Sequence, residues 1–170
     1  MRNIKSALIL LTIIIIHFSC KKSEDPLKGD IAINEIMPVN STIVADQDGE
    51  YDDWIELVNL TSSSIDISGY YLSDKRGNIL KWQIPVGTSI PGNGYLIIWA
   101  DEDSEQAGLH SNFKLSSLGE ELLLSLPDGT LIDELVYPGQ SLELSYSRYP
   151  DATGPFRWQN PTYNKANSNP

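Results

Sequence analysis

The sequence predicts an all-β fold, a β-sandwich of immunoglobulin-like size. Three observations carry this. From Ile31 onward the chain is a succession of short runs in which apolar and polar residues alternate, separated by Gly, Pro, Asn, Asp and Ser. Beyond the N-terminal leader, no stretch shows a 3.6-residue apolar period bounded by helix caps. Pro127-Asp128-Gly129-Thr130 lies between two such runs and is a hairpin signal, because Asp-Gly supplies the backbone angles of a tight turn. Roughly eight or nine short strands in about 120 residues suit two packed sheets.

The strands follow in order. Ile31–Met37 (IAINEIM) is the first, and Pro38 stops it. Residues 54–60 (WIELVNL) form the second, with Trp54, Glu56, Val58 and Leu60 on one face and Ile55, Leu57 and Asn59 on the other. Residues 61–64 turn the chain, and two short strands over 65–67 and 70–73 are split by Ser68-Gly69. Leu80, Trp82 and Ile84 share a face of the next run. Residues 95–100 (YLIIWA), entered through Pro91-Gly92-Asn93-Gly94, read as a central strand. Residues 121–126 alternate with Leu122, Leu124 and Leu126 inward, and 131–137 return as their hairpin partner. Residues 145–149 make the last strand, and the Asn-, Pro- and Ser-rich tail from Gln159 is expected to lie over the surface or fray.

The leader is read apart from the fold. Arg2 and Lys5 precede an apolar run over 7–16 broken by one Thr, and Ser19-Cys20 is followed by polar residues. This order of charge, apolar core and small residue is that of an export signal. The apolar core is about half the roughly 20 residues a transmembrane helix needs. Ser19-Cys20 resembles the end of a bacterial lipoprotein signal, although His17 stands where an apolar residue is usual. That resemblance implies cleavage after residue 19 and acylation of Cys20, the one cysteine of the chain. Several acyl chains on one Cys give lasting attachment, whereas a single chain holds marginally. The alternatives are a free thiol beyond an ordinary signal peptide and an uncleaved N-terminal anchor. The expected organisation is therefore a signal peptide over 1–19, a tether over 20–29, one domain over 30–167 and a polar tail over 168–170.

Charge narrows the partners. The 170-residue chain has a formal charge of −11, and loss of Arg2 and Lys5 with the leader would leave 10 basic against 23 acidic residues, or −13. Between Lys28 and Lys75 lie ten acidic residues and no basic one. Such a surface repels phosphate backbones and anionic head groups, so the nucleic-acid class is set aside and an N-terminal lipid becomes the membrane contact. Cations and basic partners are its complements.

Ile33-Asn34-Glu35-Ile36-Met37, Asp52-Asp53-Trp54-Ile55-Glu56-Leu57 and Ile67-Ser68-Gly69-Tyr70-Tyr71-Leu72-Ser73-Asp74 carry a family resemblance. So do Pro91-Gly92-Asn93-Gly94-Tyr95-Leu96, Trp99-Ala100-Asp101, Gly108-Leu109-His110-Ser111-Asn112-Phe113 and Arg148-Tyr149-Pro150. In their order and spacing, from about Ile31 to Asn167, they resemble the lamin tail domain in its bacterial form. Pro161-Thr162-Tyr163-Asn164 departs from the Pro-Thr-Pro-Gly more usual there. The resemblance implies an immunoglobulin-like sandwich and little about activity. Bacterial members are exported modules, often joined to enzymes such as nucleases or to cell-surface domains; a nuclear role, known for animal members, conflicts with an export signal.

Two loops could carry chemistry. Asp46, Asp48 and Asp52, with Gly49 between, resemble the start of a calcium loop, since acids at alternate positions bring oxygens onto one hard cation. Glu56 falls one residue too far from Gly49 for an EF-hand, so a looser Ca²⁺ site is weighed against an acidic turn. Asp101, Asp103 and His110 form the second polar site; His110 is either a ligand or base, or a hydrogen-bonded structural residue. Asn34, Glu35, Asp53 and Glu56 read as fold-specifying polar residues bonded to loop amides. Tyr51, Tyr70, Tyr71, Tyr137, Trp158 and Tyr163 could stack on sugar rings or pack internally. No catalytic residue is assigned, because a Ser-His-Asp triad would have to use His110 and no nucleophile elbow surrounds any Ser.

The expectation is a monomeric, non-catalytic, lipid-anchored module of the bacterial cell envelope that binds another envelope protein, with the outer membrane favoured. The alternatives are a calcium- or carbohydrate-dependent adhesion module, and an accessory to a separately encoded exported nuclease or phosphatase.

Overall fold

A computed structural model describes residues 29–140 and 142–169. The leader, Cys20 and nearly all of the tether lie outside the described residues. Among the described residues twelve strands form: β1 (Ile31–Met37), β2 (Trp54–Asn59), β3 (Ile65–Asp66), β4 (Tyr71–Ser73), β5 (Trp82–Gln83), β6 (Ser89–Ile90), β7 (Tyr95–Ala100), β8 (His110–Ser111), β9 (Gly119–Ser125), β10 (Leu131–Pro138), β11 (Ser145–Arg148) and β12 (Phe156–Gln159). A six-stranded sheet runs β12-β11-β1-β2-β7-β8, a four-stranded sheet runs β10-β9-β4-β5, and β3 pairs with β6. Every pairing is antiparallel except β7 with β8. The architecture is an open immunoglobulin-like sandwich, as the alternating runs predict.

Between the sheets, Ile33, Ile36, Ile55, Leu57 and Ile98 face Leu72, Leu122, Leu124, Leu135 and Tyr137. Each fully buried side chain of this size contributes about 1.5–3 kcal/mol relative to exposure. The predicted hairpin closes as the Asp-Gly signal requires: Leu126 N donates to Thr130 O (2.8 Å) and Gly129 N to Leu126 O (2.9 Å), with Gly129 at φ +85°.

Four differences from the sequence reading have physical causes. Strands β6, β8 and β12 are additional; β6 and β8 have two residues each, too few to show a period. Residues 80–84 shorten to β5, preceded by a 3-10 turn over Arg76–Asn78. Every residue of β1 and β2 is buried, so the six-stranded sheet is covered on both faces. Its outer face carries a second core of Met37, Trp54 and Trp99, packed by Val44, Ile97 and Tyr163. Finally, the tail is fastened rather than frayed. Tyr163 stands edge-on to Trp54 (centroids 5.4 Å, 86°) and lies 6.0 Å from Trp99, while Thr162 and Asn167 are buried.

Candidate functional site

The two loops that the sequence marks separately converge beside β7 and β8. Asn40 builds the first. Its Nδ2 donates to Val44 O and Asp52 O, both at 2.7 Å, and its Oδ1 accepts from Ile43 N (3.3 Å) and Val44 N (3.2 Å). Asp46 then turns the tip, its Oδ1 accepting from Asp48 N and Glu50 N at 2.9 Å each. The second loop docks on it through two glutamines. Gln106 Nε2 donates to Glu50 Oε2 (2.8 Å), and Gln47 Nε2 lies 2.9 Å from His110 Nε2. Asn40, Gln47 and Gln106 are the residues that sequence reasoning missed. Amides in loops have no period or spacing that announces them.

His110 is buried on β8, with Nδ1 2.5 Å from Asp101 Oδ2. Burial lowers its basicity, but the hydrogen bond and charge of Asp101 outweigh this, and the imidazole titrates above its ordinary value. Its Nε2 meets Gln47 and Ala107 O (3.2 Å), so both ring nitrogens are engaged within the loops. Asp101 Oδ1 accepts from Asp103 N (3.0 Å), and Asp103 Oδ1 accepts from Glu105 N (3.1 Å). Asp103 thus caps its own turn while Asp101 and His110 form the pair.

Of the calcium candidates, Asp46 and Asp52 sit close enough to repel each other. Burial first, then the negative charges of Asp101, Asp46 and Glu50, push the Asp52 carboxyl up. Asp46 Oδ2 and Asp52 Oδ2 are shielded from solvent and accept no hydrogen bond, as is Gln106 Oε1. Asp48 is exposed at the tip. Among the described residues no group of three or more His, Cys, Asp and Glu side chains converges as a metal site. Among the aromatic candidates, Tyr51 is exposed, whereas Tyr70 and Tyr137 are buried core residues and cannot stack on a sugar. Trp158 packs against Tyr146, and Tyr163 against the two tryptophans.

A cleft beside Asp133 and Arg148, lined by Gly29, Ile31, Ala32, Ile132 and Ala152, measures about 160 Å³. Sites that enclose a small molecule run from about 300 Å³ upward. None of the residues lining this cleft belongs to the converged loops.

No curated protein matches the sequence. The family model described as Lamin Tail Domain matches residues 24–139, a span that holds β1 through β10 and both converging loops. The chain belongs to the lamin tail domain family.

Proposed function

We propose that this chain is an exported, lipid-anchored, non-catalytic module of the bacterial cell envelope that binds another envelope protein. The observation that carries the reading is an immunoglobulin-like body whose one histidine in the domain is bonded to Asp101 and two loop groups, with large apolar side chains left on its surface. Val136 on the edge strand β10 is 70% exposed, and Leu118 in the turn that leads into β9 is 88% exposed. An edge strand of this kind can accept a strand from a partner through its main-chain groups. The order of charge, apolar run and Ser19-Cys20 supports export and acylation. Crosslinking on intact cells should capture a discrete envelope partner. Cys20→Ala should leave an unprocessed precursor and release the chain from membranes. Normal maturation of the Ala variant would remove the anchor, and crosslinks to nothing but lipid would remove the partner.

A second reading, calcium-dependent adhesion, is favoured by the two shielded and unbonded oxygens, Asp46 Oδ2 and Asp52 Oδ2. Ca²⁺ takes six to eight oxygen ligands, so backbone carbonyls and water would complete the shell around these two carboxylates. Calorimetric titration with CaCl₂ tests it. Heat that vanishes in Asp52→Asn supports the site, and the absence of heat with an unchanged melting temperature removes it.

A further inference from the structure

Glu35 and Glu56 are direct partners across the β1–β2 ladder, and both are fully buried. Like charges placed opposite each other in a sheet are destabilising. The groups facing the pair make matters worse rather than better. Asp151 adds a third carboxyl, its Oδ2 accepting from the Tyr95 hydroxyl at 2.6 Å. Tyr163 is the remaining titratable neighbour of Glu56. The cations of the surrounding elements are committed elsewhere. Arg148 on β11 bonds Asp133 on the inner side of the sheet, and Arg157 on β12 and Lys165 in the tail are exposed.

The tail supplies most of the donors. Thr162 N donates to Glu35 Oε1 (2.9 Å), and Asn164 N donates to Glu56 Oε2 (2.7 Å). Asn34 Nδ2 completes Glu56 at Oε1 (2.9 Å), and the Ser145 side chain also bonds Glu35. Asn167 anchors the far end. Its N donates to Asp151 Oδ1 (2.9 Å), and its Nδ2 donates to Arg148 O (2.7 Å) and Asn34 O (3.3 Å).

One detail specifies a proton. Thr162 Oγ1 lies 2.6 Å from both Glu35 Oε2 and Asn167 Oδ1. The Asn167 amide cannot be turned round, because its nitrogen already serves two carbonyls. A hydroxyl carries one proton, so both short contacts are hydrogen bonds only when the second proton comes from Glu35. The chain then runs from the Glu35 carboxylic acid to Thr162 and on to Asn167.

We infer that residues 160–169 form a proton-held strap, closed over the β1–β2 face while the Glu35–Glu56 pair keeps a proton and opened when both glutamates ionise. Two buried carboxyls sharing one environment cannot both ionise without cost. Burial raises Glu35, and burial with the charge of Glu35 pushes Glu56 up to about 8, against the hydrogen bonds of Asn34 and Asn164. In the open state both carboxyls reach water and return toward ordinary values. The closed state therefore binds more protons, and rising pH favours opening. Opening removes Tyr163 from Trp54 and Trp99 and so uncovers apolar surface of the second core.

Hydrogen exchange of the full chain, corrected for the intrinsic pH dependence of exchange, tests this. Between about pH 6 and about pH 9.5 the protection of the Thr162 and Asn164 amides should fall by more than about tenfold, while amides of β1 and β2 stay far better protected than those of the strap. A Glu35→Gln/Glu56→Gln double variant should show the same strap protection at both pH values. Tyr163→Ala, which leaves both carboxyls in place, should move the opening to lower pH. PH-independent strap protection in the unaltered chain overturns the inference. So does strap protection equal to that of the core strands at each pH, or an unchanged opening midpoint in Tyr163→Ala.

Discussion

Asp133 on β10 and Arg148 on β11 lock the two sheets together at a bulge in β1. The bulge falls between Ile33 and Glu35 and leaves Asn34 as the extra residue; Ile33 keeps its pairing with Leu57 on β2 but lies beyond the β1–β11 register, which covers Glu35 and Ile36. Asp133 Oδ2 accepts from Ile33 N (2.9 Å), and Arg148 Nε donates to Ile33 O (3.0 Å). The two side chains then close on each other, with Arg148 Nη2 3.0 and 3.2 Å from the Asp133 oxygens. The guanidinium also lies 4.2 Å over the Phe156 ring. The Ile33 backbone groups that β11 does not reach are thus satisfied by an ion pair that spans the sandwich.

Removing either partner should therefore cost more than a surface ion pair. Arg148→Ala leaves a mostly buried carboxylate and an unmet carbonyl, and should lower the unfolding free energy by about 2–4 kcal/mol. Arg148→Lys should recover only part of this, because an ammonium cannot serve Ile33 O and Asp133 with the same planar fork. Urea denaturation measures both. A loss below about 0.5 kcal/mol for Arg148→Ala would reduce the pair to a surface contact.

The pH dependence of stability has a definite sign. Burial, the largest cause in each case, pushes Asp53 up to about 7 and Glu56 up to about 8. A carboxyl raised by folding contributes stability that is complete below its unfolded value and disappears as pH rises through its folded value. His110, also raised in the folded state, acts in the same direction. The melting temperature should fall as pH goes from about 5 to about 9. Glu56→Gln should flatten the upper part of that decline and leave the part set by Asp53. A melting temperature that rises over this range would show that these groups ionise without penalty in the fold.

The strands of this fold were largely legible because alternation and turn residues are local signals. Asn34, Glu35, Asp53 and Glu56 bond backbone amides, as expected of polar residues in or beside strands. Their partners were not legible. Thr162 and Asn164 lie more than a hundred residues away in sequence, and an Asn-rich tail looks the same whether it is fastened or free. The site was half legible in the same way. Asp46, Asp52, Asp101 and His110 announce themselves as residue types, but their convergence depends on the β2–β7–β8 order, which no local pattern encodes.

Gly119 at the start of β9 is required by its backbone and its surroundings. Its φ is +91°, and a Cβ there would stand 2.6 Å from Gly139 N and 2.7 Å from Tyr137 O. Both atoms belong to the facing backbone and have no side-chain freedom to yield. Gly119→Ala should destabilise by about 2–4 kcal/mol, through left-handed strain together with displacement of the β9–β10 ribbon. Gly87→Ala offers a comparison: it has φ +88° but open space around its Cβ, so only the strain remains and about 1 kcal/mol is expected. Equal losses at the two positions would mean that the close approach to Gly139 contributes nothing.

His110 and Asp101 decide whether the converged loops are a scaffold or a reactive site. Both are buried, and each is the other's close partner, so His110→Ala leaves Asp101 Oδ2 shielded without a donor. The single variants should each destabilise by about 1–3 kcal/mol. In a double-mutant cycle with Asp101→Ala, the two losses should fall short of additivity by about 1–2 kcal/mol, because either change already removes the shared bond. Partner capture by crosslinking should then decline only as far as folding does, and return when the variant is assayed at lower temperature. Full stability in His110→Ala with partner capture abolished would reverse the assignment, making the imidazole a contact residue rather than a strut between the loops.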